Sequence, residues 1–139
     1  MSETVGRTEC RRYLQLLCEE LAGLLRPTSR SDVVVECIEA EIPTERIVHL
    51  GLIVNELVTN AAKHGAGRIT VSWQRSESGG YSLSVCDEGP GLPADFDPAA
   101  GRGLGMKVIA ASVQQLNGRL AFGGTDGAQG ARFTILLPG

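Results

Sequence analysis

Apolar residues recur at helical spacing through Cys10, Tyr13, Leu14, Leu17, Leu21, Leu24 and Leu25, which predicts an amphipathic helix over 8–26 after a short tail, 1–7. Thr8 is its expected cap and Arg26-Pro27 its stop. The β-branched run VVVECIEAEI reads as one strand ending at Pro43, and Thr44 then caps a longer helix closed by Gly65 and Gly67. Ile69, Val71 and Trp73 alternate with Thr70, Ser72 and Gln74. Past a Gly79-Gly80 turn, Tyr81, Leu83 and Val85 alternate with Ser82, Ser84 and Cys86, so a hairpin with one buried face is expected. A Gly- and Pro-rich loop from Asp87 to about Arg102 opens into a third helix carrying Met106, Ile109, Val113 and Leu116, stopped by Asn117-Gly118. Two strands, around 120–122 and 133–137, finish the chain.

Helices followed by antiparallel hairpins predict an α+β fold: a two-layer sandwich with one mixed, mostly antiparallel sheet and helices on a single face. At 139 residues the chain is sized for one domain, 1–139. The loop after Asp87, at roughly 16 residues, exceeds the usual connection length and is a candidate lid.

Composition narrows the class of function. A net charge of −3 with interspersed signs offers no basic footprint for nucleic acid or for an anionic membrane. The four cysteines match no zinc spacing and fall mostly in apolar segments, as expected of reduced thiols in a cytoplasmic protein. No run reaches the ~20 apolar residues of a membrane span, and the opening residues lack a signal pattern.

Three polar constellations carry candidate chemistry. On the second helix Glu56, Asn60 and Lys63 line up at i, i+4 and i+7, with His64 beside them. Such a stripe is either an ordinary solvated face or a surface handling a magnesium-bound polyphosphate, with the Asn60 carbonyl as a metal ligand, Lys63 on phosphate and Glu56 holding a water or a proton. DEGPG, from Asp87 to Gly91, is either a turn with a charged start or a base-reading corner. In the second case the carboxylate accepts from an adenine amine and the glycines admit a flat ring. GRGLG, from Gly101 to Gly105, is either a flexible loop or a helix opening whose amides converge on phosphate. Neither the P-loop nor the Rossmann spacing is present.

The order of these motifs, an N-E-x-x-x-N-x-x-K-H helix, a hairpin, D-x-G-x-G and then G-x-G-x-G opening a helix, resembles the catalytic ATP-binding domain of the GHKL superfamily. GLIVNELVTNAAKHG and GRGLGMKVIAASVQQLNGRL look most like sensor histidine kinases of the HWE class and its sister HisKA subclass, over about residues 8–138. The resemblance implies a Bergerat fold with a short ATP lid at 92–102, and ATP and Mg2+ as cofactors. It makes Asn60 the metal ligand and Glu56 the acid of the N-box, with Lys63 and His64 near the phosphates. Asp87, Gly89, Gly91 and the adjoining Leu92 would form the adenine box. Arg102, Gly103, Leu104 and Gly105 would form the box closing on phosphate, and Thr134 would support the adenine pocket.

The segment LPADFDPAA is shorter than the corresponding stretch of ordinary histidine kinases, leaving Phe96 alone as a phenylalanine-box candidate, and the W-x-E triplet is missing, which favours the sister subclass. No phosphoacceptor helix pair precedes Thr8, and His49 fits a core-flanking or solvated position better than an acceptor. The implied partner is therefore a histidine-bearing dimerisation domain, with a response regulator downstream. The alternatives are an anti-sigma-factor-type serine kinase and a non-catalytic ATP-binding signalling module.

Overall fold

The computed structural model describes residues 6–25, 32–64, 67–77, 79–89, 104–124 and 130–138. Strand β1 (Arg7–Glu9) runs directly into helix α1 (Cys10–Leu25) and pairs antiparallel with β3 (Glu41–Pro43) as a two-stranded ribbon. This pairing overrides the expected start of the helix. Thr8 lies opposite Ile42 in the ribbon, and its hydroxyl meets that of Thr44 at 2.7 Å. Glu9 caps α1 instead: its carboxylate accepts from the N–H groups of Arg11 at 3.1 Å and Arg12 at 2.9 Å, and also from Ala40 at 3.2 Å. One side chain thus closes a helix start and pins the link between two strands. Arg11 pairs with Glu39 beside it.

The single strand expected over 33–42 is two strands in different sheets. β2 (Val33–Cys37) joins the main sheet, whereas residues 38–40 turn the chain into β3. Ile38 still donates to the Trp73 carbonyl, and Cys10 donates to that of Ala40, so the link is satisfied without strand geometry.

The main sheet has the order β2-β4-β5-β7-β6, with β4 (Ile69–Arg75), β5 (Tyr81–Cys86), β6 (Arg119–Gly124) and β7 (Ala131–Leu137). β2 and β4 are parallel, and every other neighbouring pair is antiparallel. A parallel pair needs a crossover, which helix α2 (Thr44–His64) supplies. Alternation along the strands sorts the side chains. Ile69, Val71, Trp73, Leu83, Val85, Ile135 and Leu137 are buried on the face that receives the helices, while Thr70, Ser72, Ser82, Ser84 and Thr134 share the other. The anticipated helices-on-one-face sandwich is what forms. Trp73, fully buried, stacks on Tyr81 with ring centroids 4.8 Å apart.

Helix α3 (Leu104–Gln115) ends as Asn117-Gly118 forecasts. Asn117 adopts φ 54°, Gly118 donates to the Val113 carbonyl and Asn117 to that of Gln114, the paired bonds of a Schellman motif. Cys10 and Cys18 sit on the buried stripe of α1, and burial pushes both thiols up to about 12. Among the described residues no helix is long and apolar enough to cross a membrane.

The Arg12 N–H, then those of Arg11 and Ala40, hold the Glu9 carboxyl below its ordinary value of 4.5. Glu9→Ala is expected to cost about 1 kcal/mol in urea unfolding at neutral pH. Because the folded value is depressed, the difference from the parent is complete above about pH 4.5 and shrinks as pH falls through the lower folded value. A gap that stays constant down to about pH 2 would contradict this cap.

Candidate functional site

The site begins with why α2 can spare a polar face. Its apolar positions Ile47, Leu50, Ile53, Val54, Leu57, Val58 and Ala61 are all buried, so the helix cannot rotate without exposing them. Gly51 allows a close crossing with α1, because a Cβ there would collide with the Tyr13 hydroxyl. At the α2 start, Arg46 donates to the Leu116 carbonyl at the end of α3 at 2.7 Å. These contacts hold Glu56, Asn60 and Lys63 on the outward stripe.

The beginning of α3 comes down on that stripe. A Cβ on Gly105 would lie 2.6 Å from Glu56 Oε1, so the carboxylate packs directly on the glycine backbone. Asn55 donates to Glu56 Oε2 at 3.3 Å, and Asn60 Nδ2 points at Met106 Sδ, 4.0 Å away. Glu56 and Asn60, expected in one motif, and Gly105, expected in another, are therefore neighbours. Lys63 is exposed one turn further along. His64 closes the helix, and its side chain lies outside the described residues, as do Gly91, Leu92, Arg102, Gly103, the Leu104 side chain, Phe96 and the expected lid at 92–102. His49 is half-buried on α2, and among the described residues its Nδ1 has no partner.

Asp87 follows the last residue of β5 and keeps the strand alternation, which turns it to the helix side, where it is 8% exposed. Its Oδ1 accepts from the Gly89 N–H at 2.8 Å, an Asx turn that fixes the carboxylate. Its other oxygen takes no hydrogen bond among the described residues. The backbone is clamped as well: Asp87 N–H donates to the Ala131 carbonyl at 3.0 Å, and the Asp87 carbonyl leaves no room for a Cβ on Gly130, whose φ is 128°. Glu88 turns outward, accepts from the Arg68 N–H at 2.7 Å and lies against Gly67.

Thr134 is not brought to this site. It stands on the far face of the sheet, its hydroxyl 3.1 Å from that of Ser84, because position 134 has the opposite alternation to buried Ile135. Ala131, buried and bonded to Asp87, is the β7 residue that does border the site. Sequence reasoning also passed over Glu88 and Gly130, and read Gly67 only as the close of α2. The signal available for Gly130 was its place at the entry of a strand, where a residue without a Cβ marks a close approach of another backbone.

Residues 45–139 match the family model described as histidine kinase-, DNA gyrase B-, and HSP90-like ATPase. The chain is 32% identical over 113 residues to a sensor protein NarQ homolog of Haemophilus influenzae, an alignment covering 77% of this chain and 19% of that protein. The chain thus spans about a fifth of that relative's length. The histidine kinase domain of the Erythrobacter litoralis blue-light activated histidine kinase superposes with a TM-score of 0.80 at 24% identity, covering 94% of this chain and 61% of that one. Full-length ShkA in complex with AMPPNP superposes with a TM-score of 0.66 at 24% identity, over 90% of this chain and 30% of that one.

Gly130→Ala is expected to lower stability by more than about 1 kcal/mol, since the new methyl meets backbone at a positive φ. Gly23→Ala, on a helix where a Cβ meets nothing within 4 Å, is expected to raise it by about 0.5–1 kcal/mol. Thermal unfolding of the two variants beside the parent checks the contrast, and equal midpoints would refute it.

Proposed function

Because the chain belongs to the histidine kinase-, DNA gyrase B-, and HSP90-like ATPase family, we propose that it is the ATP-binding catalytic domain of a sensor histidine kinase, and that it passes the ATP γ-phosphoryl group to a histidine on a separate dimerisation domain. A response regulator would receive that phosphoryl group in turn. The observation that carries the reading is the Asp87 carboxylate, buried and anchored through one oxygen, with the other taking no hydrogen bond among the described residues. An adenine amine supplies such a donor, whereas guanine presents a carbonyl at the same position and is repelled. Binding of AMPPNP by ShkA, a structural neighbour, supports the same chemistry.

The remaining assignments rest on the resemblance of the motifs. Gly89 and Gly91, with Leu92, admit the base. Lys63 and His64, with Arg102, Gly103, Leu104 and Gly105, would meet the phosphates, and Gly105 stands at the positive end of α3. Asn60 offers one amide oxygen, a hard ligand of the kind Mg2+ takes, and among the described residues no group of three acidic, histidine or cysteine side chains could cage a metal by itself. A magnesium ion here would complete its shell with phosphate oxygens and water, which fits Asn60 as its protein ligand. When bound, the ion supplies charge neutralisation across the phosphates. Glu56, which accepts from Asn55 and packs on Gly105, would hold a water or accept a proton beside Asn60. The work left to the chain is positioning and charge compensation, since phosphoryl transfer asks little covalent chemistry of side chains.

Mixing the chain with a histidine-bearing dimerisation domain and labelled ATP is expected to yield acid-labile phosphohistidine. Uptake of ATP without that product would remove the kinase assignment. Asp87→Asn is expected to weaken ATP binding about tenfold or more, because an amide can present a donor to the adenine amine. Asn60→Ala is expected to abolish the difference between titrations with and without magnesium. Calorimetry giving parental affinities in both variants would refute the two roles.

A further inference from the structure

We propose that Glu88 is a positioning residue: its carboxylate clasps the backbone just beyond α2 and so sets the span between Asp87 and the stripe that carries Glu56, Asn60 and Lys63. The inference rests on the nucleotide reading above and deepens it. Glu88 Oε1 accepts from the Arg68 N–H at 2.7 Å across a separation of 20 residues. Gly67, with φ +72°, lies so close that a Cβ built on it would overlap the Glu88 carboxylate and sit 2.8 Å from its Cβ. The glycine that releases the chain from α2 is thus also the floor on which Glu88 rests. Asp87 is buried and Glu88, the next residue, is exposed, so one turns in and the other out, and whatever holds Glu88 also holds Asp87.

The turn at Asp87 has two attachments. Ala131 and Gly130 tie it to β7, inside the sheet. Glu88 ties it to the exit of α2, and among the described residues this is the hydrogen bond that joins the base-reading turn to the chain leaving the phosphate-facing helix. A ligand that touches both ends gains from both only when they stand at the separation its own covalent frame dictates. With the clasp gone each end keeps its own attraction, and the advantage of holding them together falls. A general loss of structure would weaken every ligand alike.

The test is calorimetry on the full chain with three ligands in the presence of magnesium: ATP, inorganic tripolyphosphate and adenosine. Glu88→Ala is expected to raise the Kd for ATP about tenfold while leaving tripolyphosphate and adenosine within about twofold of the parent. Glu88→Gln keeps an oxygen that accepts from Arg68 and is expected to restore ATP binding to within about threefold. Gly67→Ala, which pushes Glu88 off its seat, is expected to copy the ATP-selective loss of Glu88→Ala and serves as the second route should that variant not fold. Parental ATP affinity in Glu88→Ala, equal weakening of all three ligands, or a Gln variant as weak as Ala would each overturn the clasp. A parent chain that takes up no ATP would instead overturn the nucleotide reading, and the inference with it.

Discussion

The buried stripe of α2 is the constraint on which the remaining geometry depends. Seven apolar side chains from Ile47 to Ala61 press against the sheet and the flanking helices, the six larger ones each contributing roughly 1.5–3 kcal/mol on burial and Ala61 less. Turning the helix by one position would expose most of them, a loss comparable with the whole stability of an ordinary domain. The polar stripe therefore has one available direction, toward the opening of α3. The positions of Glu56 and Asn60 are held by hydrocarbon on the far side of the same helix.

That stripe was legible in the sequence because its period is local. So were the hairpin, from strict alternation, and the end of α3, from Asn117-Gly118. The break between β2 and β3 was not legible: residues 38–40 carry no glycine or proline, and the run of β-branched residues continues in composition although the chain changes sheets. Thr8 is a common capping residue, yet pairing with β3 draws it into a strand and leaves the cap to Glu9. In both places a tertiary partner overrides a local preference.

The site divides in the same way. Asp87 and Gly105 could be named from their motifs, and the structure gives each a neighbour that explains it, Ala131 for one and Glu56 for the other. Thr134 went to the wrong face, because a motif position says nothing of strand alternation until a register fixes it. Glu88 and Gly130, and the second duty of Gly67 beside Glu88, escaped notice since each acts through a residue far along the chain, and a single sequence does not show such pairings.

The two deep thiols of α1 offer an intrinsic clock. A sulfhydryl that ionises only near the top of the accessible range reacts with maleimides or aromatic disulfides solely while water reaches it, so modification of Cys10 or Cys18 counts excursions that lift α1 away from its neighbours. Cys37 and Cys86, partly open to solvent, would be labelled first. The lag between the fast and slow pairs would then report how often the first helix detaches.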